Sequence, residues 1–320
     1  MAVYTEVSDD ELVDFVSEYE IGSALSCKGI AEGIENSNYF LTTDSGRFIL
    51  TLYEKRAKPE DLPFFLSLME HLKEQGIPCP MPVKGRDGHA LRSLCGKPAA
   101  IVSFLDGMWP RRIQPEHCAQ LGSAMARFHT ASQGFALQRP NDLSLQAWQP
   151  LFEASADRAE IVRTGLVVEL EQELKFLRSA WPKDLPAGVI HADMFPDNVF
   201  FHNGDVSGII DFYFACNDFF AYEIAICLNA WCFEIDLSFN VTKAKRLLSA
   251  YRKVREFSDA ELKALPILAR GSSMRFLLTR LYDWIHTPEN ALVTPKDPLE
   301  YLEKLRFHQG VSGPGAYGLE

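Results

Sequence analysis

The chain has 320 residues, is 47% hydrophobic and carries a formal charge of −11 at pH 7. This length buries a substantial core and fits two domains or lobes, and the acidic balance argues against a nucleic-acid binder, which needs a basic face. No run of about twenty apolar residues is present to span a membrane, and Met1 to Glu6 lacks the features of a signal peptide. Seven scattered cysteines (27, 79, 95, 118, 216, 227 and 232) without a Cys-x-x-Cys pair read as reduced, mostly buried thiols of a cytoplasmic protein.

In chain order, Ser8-Asp9-Asp10-Glu11 fits a capping box that opens a helix with Leu12, Val13, Phe15, Val16 and Tyr19 on its apolar side. Gly22 is the expected stop. Strand-like segments follow: a Gly-containing stretch, Tyr39 to Thr42, an Asp44-Ser45-Gly46 turn, and Phe48 to Tyr53. Pro63 to Gln75 reads as a helix, and Pro78, Pro80 and Pro82 keep the next segment extended. Ala99 to Leu105 reads as a buried strand leading into Asp106-Gly107, where the lobe boundary is placed: residues 1–106 against 107–320. Beyond it, helices are expected over Pro115 to His129, Arg158 to Ser179, Phe219 to Phe233, Val241 to Val254, Asp259 to Ala269 and Ser272 to His286. The Gly-rich stretch Gly310 to Glu320 reads as a loose tail.

The chemistry concentrates in His191-Ala192-Asp193-Met194-Phe195-Pro196-Asp197-Asn198 and in Asp211. Asp193 and Asn198 are five apart, the spacing of the base and the metal-binding Asn in a kinase catalytic loop. Val199 to Phe201 and Val206 to Ile210 are β-prone runs separated by His202-Asn203-Gly204-Asp205, a hairpin signal. Such a hairpin carries Asn198 and Asp211 to one end, where two oxygen donors suit Mg²⁺. Asp193 then accepts the proton of a substrate hydroxyl. Any one of these residues alone could just cap a turn; the constellation indicates phosphoryl transfer from a nucleotide. Upstream, Gly29 to Tyr39 contains Gly33, Asn36, Ser37 and Asn38, which could approach phosphates through backbone and side-chain donors. ATP is an anion, so an acidic chain must meet it with a local cationic or metal-loaded patch.

These residues resemble the aminoglycoside phosphotransferase/choline kinase branch of the protein-kinase-like fold, and within it the homoserine kinases of threonine biosynthesis. The resemblance rests on residues 32–39, Phe48 to Glu54, Val189 to Asn198, and Ile210 to Asp218 continuing through Ala225 to Cys232. It implies a bilobal α+β fold, with a small β-rich N-lobe covering the nucleotide and a larger, mainly helical C-lobe. It also implies ATP and L-homoserine as substrates with Mg²⁺ as cofactor. Asp193 becomes the catalytic base, Asn198 and Asp211 the Mg²⁺ ligands, Gly33 part of the phosphate cover, and Phe104 to Asp106 the hinge beside adenine.

The third strand of such kinases usually carries a Lys paired with a Glu on the next helix. Here Thr51 stands at the Lys position and Phe64 to Leu68 offers no Glu. Lys28, Lys55 and Arg56 remain candidates for the phosphate contact. For a zwitterionic acceptor, Arg275 and Arg280 could clamp the carboxylate, or be ordinary salt-bridged arginines. Asp218, Glu223 and Asn229 could face the ammonium, or cap and support helices. Trp231 and Trp284 read as core or cleft wall, His191 as structural and His129 as a packed histidine. Two other readings stand beside homoserine: another hydroxylated acceptor (an aminoglycoside, choline or a sugar-like alcohol), and a nucleotide-binding pseudokinase motivated by Thr51. Oligomeric state is not legible.

Overall fold

The computed structural model describes residues 5–30, 36–54, 58–288 and 294–319. They form two compact units. The first comprises Met1–Gly107, Phe135–Leu137 and Ser207–Tyr213; the second comprises Met108–Gly134, Gln138–Val206 and Phe214–Glu320.

In the first unit, α1 (Asp9–Ser17) starts at the expected capping box: Glu11 N donates to Ser8 Oγ and Ser8 N to Glu11 Oε2. The helix ends at Ser17, before Tyr19 and Gly22, yet Tyr19 still packs into the core. Five antiparallel strands follow: β1 (Ala24–Gly29), β2 (Ser37–Thr43), β3 (Gly46–Leu52), β4 (Arg92–Leu94) and β5 (Lys97–Ser103), in the order β1-β2-β3-β5-β4. Strict alternation along β2 sends Tyr39 and Leu41 into the core and leaves Asn38 and Phe40 on the other face. Leu50, Leu52, Ala99 and Ile101 join Leu12, Phe15 and Val16 of α1 there. Each fully buried Leu or Phe of this set contributes about 1.5–3 kcal/mol.

Helix α2 (Leu62–Glu74) follows. The two short segments from later in the chain are held by packing and backbone pairing. Phe135 lies 5.5 Å from Phe64 between ring centroids, and Ile209 N donates to Pro78 O at 2.7 Å.

The second unit is mainly helical: α3 (Pro115–Ala131), α4 (Leu145–Glu153), α5 (Ala156–Val162), α6 (Leu166–Ala180), α7 (Phe220–Trp231), α8 (Val241–Arg252), α9 (Asp259–His286) and α10 (Leu299–Gln309). A two-stranded ribbon pairs β6 (Ala187–Ile190) with β9 (Cys216–Phe219). Helices α3 and α8 cross closely at Gly122, where a Cβ would stand 2.1 Å from the Leu247 carbonyl oxygen.

Three expectations are corrected here. The helix read over Arg158 to Ser179 is two helices, because Gly165 sits in the left-handed region at φ +81°. The two helices read on either side of Gly271 are the single 28-residue α9. Gly271 is a packing glycine rather than a stop: a Cβ there would meet the Trp181 ring at 2.1 Å and the Trp148 ring at 2.8 Å. The tail is docked rather than loose. Pro314–Tyr317 forms a 3₁₀ turn, Tyr317 is buried, and its hydroxyl donates to His308 Nδ1 at 2.8 Å.

The hairpin of β7 (Val199–His202) and β8 (Asp205–Ile209) turns where expected, with Asn203 at φ +51° and Gly204 at φ +91°. All seven cysteines are free thiols, and Cys79, Cys118, Cys216, Cys227 and Cys232 are buried.

Candidate active site

Strand β6 ends in the buried pair Val189-Ile190 and delivers the chain into the segment His191 to Asn198. Ala192 adopts φ +62°, a left-handed conformation that is costly for a residue with a Cβ. Buried side chains hold this turn from two directions. The Glu223 carboxylate, on α7, accepts from His191 N at 2.5 Å and Ala192 N at 2.8 Å. On the other side, Arg275 of α9 donates through a guanidinium N–H to the Ala192 carbonyl at 2.7 Å. Trp231 Nε1 donates to the Met194 carbonyl, also at 2.7 Å. Glu223 and Arg275 are both almost fully buried, so the charges work at short range in a low dielectric.

The turn presents Asp193 and Asn198 together. Asn198 Nδ2 donates to the Asp193 carbonyl at 2.9 Å and to Asp193 Oδ2 at 3.0 Å. A 3₁₀ turn over Pro196–Asn198 closes the segment, with Asn198 N donating to Phe195 O at 3.0 Å. Committing the Asn198 amide nitrogen to Asp193 turns its carbonyl oxygen the other way, as an oxygen donor.

Asp211 belongs to the first unit and follows β8 at φ +66°, another strained non-glycine position. The neighbouring Tyr213 ring stands edge-on to Tyr53 at 5.4 Å and to Phe65 at 5.8 Å. Burial pushes the Tyr53 phenol up to about 12 and Tyr213 well above its usual value, and the Asp211 charge adds to both shifts.

At the strand position where a Lys is usual, Thr51 is buried and donates to Asn38 Oδ1 at 2.8 Å. The polar residues at the start of β2 are engaged within the sheet. Glu54 N donates to Asn36 Oδ1 at 3.1 Å, and Ser37 Oγ donates to Glu54 Oε1 at 2.7 Å. Thr5 Oγ1 reaches the same carboxylate oxygen at 2.8 Å, and Lys97 pairs with Glu54 Oε2. Burial raises the Glu54 carboxyl, but the hydrogen bonds from Lys97, Ser37 and Thr5 outweigh it and leave it below the usual range. Strand alternation puts Glu54 and Lys97 on the face of Leu52 and Ala99, opposite Thr51. Lys97 therefore does not stand in for the absent strand Lys. Lys28 is exposed on β1, whereas Gly33, Lys55 and Arg56 lie outside the described residues.

At the end of β5, the Phe104 ring meets Phe40 at 5.2 Å and lies under Arg47 at 4.6 Å. Asp106 makes an exposed ion pair with Arg47 at 3.0 Å.

The five residues suggested for the acceptor divide by environment. Glu223 and Arg275 brace the Asp193 turn, as described. Asn229 is fully buried between helices, donating to the Ala225 and Ala269 carbonyls and accepting from Ser273 Oγ at 2.9 Å. Arg280 pairs with Glu300 at 2.6 Å and stacks over Tyr301 at 4.5 Å. Asp218 accepts from Asn141 Nδ2 and from Phe219 N, both at 2.7 Å, and burial raises its carboxyl above the usual range. It lines a cavity of about 470 Å³ with Asn141, Trp181, Lys183 and Tyr222.

The tryptophans and histidines also separate. Trp231 is core and Trp284 is exposed. His129 is packed, with Nδ1 2.8 Å from the Tyr251 hydroxyl, and burial lowers its imidazole pKa.

Residues 26–257 match the sequence model of the phosphotransferase enzyme family that includes the aminoglycoside kinases. The chain belongs to this phosphotransferase family. It is 63% identical to a homoserine kinase of Rhodospirillum rubrum over 319 residues, covering all of this chain and 99% of the relative. It is also 63% identical to one of Paramagnetospirillum magneticum, with both chains fully covered, and 57% identical to one of Rhizobium meliloti, covering all of this chain and 98% of that relative.

Among solved structures, an amicoumacin kinase in complex with AMP-PNP, Ca²⁺ and its ligand superposes with a TM-score of 0.71 at 16% identity, covering 94% of this chain and 92% of that one. A spectinomycin phosphotransferase bound to ADP and spectinomycin gives 0.69 at 14% identity, covering 98% of each chain. The phosphotransferase chain thus has the protein-kinase-like α+β fold.

Proposed function

We propose that this phosphotransferase moves the terminal phosphoryl group of ATP to the side-chain hydroxyl of L-homoserine, giving ADP and O-phospho-L-homoserine. The observation that carries the reading is full-length identity of 57–63% to homoserine kinases, on a chain whose Asp193 and Asn198 are hydrogen-bonded within one braced turn. Asp193 orients the acceptor hydroxyl and takes its proton as the oxygen attacks phosphorus, while the bond from phosphorus to the bridging oxygen of ADP breaks. The Asn198 bond fixes the Asp193 carboxylate in place, which limits reorganisation at the moment of transfer.

Asn198 through its amide oxygen and Asp211 through its carboxylate form an oxygen-only donor set of the kind Mg²⁺ prefers. Bound there, Mg²⁺ neutralises phosphate charge. On the nucleotide side, the backbone around Gly33 covers the phosphates, with Phe104 to Asp106 beside adenine. Asn36, Ser37 and Asn38 contribute by holding that cover to the sheet. The enzyme works in the cytoplasm, in threonine biosynthesis.

Asp193→Ala is expected to lower kcat by about a thousandfold while leaving the Kd for ATP within about twofold. Steady-state kinetics and nucleotide titration check this, and near-normal turnover would remove Asp193 from its assigned role.

A further inference from the structure

A cavity of about 540 Å³ in the second unit is lined by Ala230, Phe233, Glu234 and Leu237 on one side and by Asp297, Glu300, Glu303 and Lys304 on the other. Its walls adjoin the catalytic turn. Ala230 precedes Trp231, whose indole is bonded to Met194 O, and Glu300 precedes Tyr301, whose phenol is raised first by burial and in part by the Asp193 charge. The Phe195, Phe276 and Tyr301 rings connect the turn to α10 at 4.9 and 5.2 Å. Leu237, on the rim, sits at φ +64°, and Ile235 beside it is fully exposed.

The unusual member is Lys304. Its side chain is only 6% exposed, and its ammonium lies 2.6 Å from Glu300 Oε1 and 4.5 Å from the Tyr301 ring centroid. Burial lowers its pKa despite the nearby carboxylate. Arg280 holds the other oxygen of Glu300 at 2.6 Å. A buried ion pair is a poor source of stability, because desolvating two charges offsets most of their attraction. A pair set into a cavity wall is instead prepared for a ligand that carries both opposite charges. Such a ligand can enter between the partners and leave each charge paired. Four lining carboxylates (Glu234, Asp297, Glu300 and Glu303) against one lysine tilt the cavity toward an ammonium and make Lys304 the one lining cation.

We infer that this cavity receives the amino-acid end of the acceptor, with Lys304 binding the α-carboxylate and Glu300, held by Arg280, binding the α-ammonium. The inference rests on the reading above and specifies how that enzyme selects a zwitterionic alcohol. Lys304 and Glu300 are thus specificity-determining residues, while proton transfer stays with Asp193.

The test compares L-homoserine with 3-aminopropan-1-ol, which lacks the carboxylate, and with 4-hydroxybutanoate, which lacks the ammonium. Each is measured as kcat/KM, or as a competitive Ki where turnover is too slow. Lys304→Met is expected to lower kcat/KM for L-homoserine on the order of a hundredfold and to change the value for 3-aminopropan-1-ol less than about threefold. Glu300→Gln is expected to penalise L-homoserine while sparing 4-hydroxybutanoate. Lys304→Arg, which keeps the charge, should restore much of the preference and controls for folding together with thermal melts.

Equal losses for all three acceptors in correctly folded Lys304→Met, or no loss with L-homoserine, would overturn the inference. Wild-type protein that releases no ADP with L-homoserine would overturn the functional reading itself, and this inference with it.

Discussion

The start of β2 in the first unit and the Asp193 turn in the second both carry residues that sequence spacing assigns to phosphoryl transfer, but they use them differently. In the Asp193 turn, the reactive side chains project from a strained backbone that other elements hold: Glu223 grips its amides and Arg275 its carbonyl. At the start of β2, the polar side chains themselves are the anchors. Asn36, Ser37 and Asn38 bond to Glu54 and Thr51 rather than projecting toward a ligand. A motif whose chemistry lies in its side chains keeps them free of structural duty and borrows support from a distance. A loop that works through its backbone can use its own side chains for support.

The comparison is sharpest if the brace is removed. Glu223→Gln is expected to leave one of the two Glu223 contacts poorly matched and to lower kcat about a hundredfold, with a much smaller change in KM for ATP. A loss confined to KM would show that the brace serves binding rather than the alignment of Asp193.

A smaller effect of different character is expected at the sheet. Glu54→Gln weakens the Lys97, Ser37 and Thr5 contacts and should raise KM for ATP about tenfold, while KM for L-homoserine stays within about twofold. Equal changes in both KM values would make Glu54 a general stability residue. The smallest effect concerns acid. Burial holds His308 at about 3, so it is neutral in the fold, with Nδ1 accepting from Tyr317 and Nε2 facing Asn229 Oδ1 at 3.2 Å. Unfolded histidine binds its proton near pH 6.5, so the stability held by neutral His308 is present above that value and lost as pH falls toward 3. Melting temperature should therefore fall by several degrees between pH 7 and pH 4.5, and less steeply in His308→Gln.

Sequence reasoning reached the parts governed by short-range rules: the capping box at Ser8, the turn at Asn203-Gly204, and the Asp193–Asn198 spacing. It missed what depends on partners far along the chain. The three-residue β4 and the four-residue β6 and β9 are too short to show a period, and they exist through pairing. Gly271 looks like a helix break in sequence, yet two tryptophan rings fill the space beside it within an unbroken helix. Glu223 and Arg275 were legible as charged residues on helices, but not that each points at the backbone of residue 192. Lys304 gave no signal, because α10 follows a proline-rich segment and its burial comes from Phe233, Tyr301 and Glu300 together.

The most direct test of the central claim is ADP release from Mg·ATP with L-homoserine, L-serine, choline, kanamycin and a sugar alcohol offered separately. The account predicts strong stimulation by L-homoserine alone. Stimulation by another acceptor, or none by L-homoserine, would contradict it.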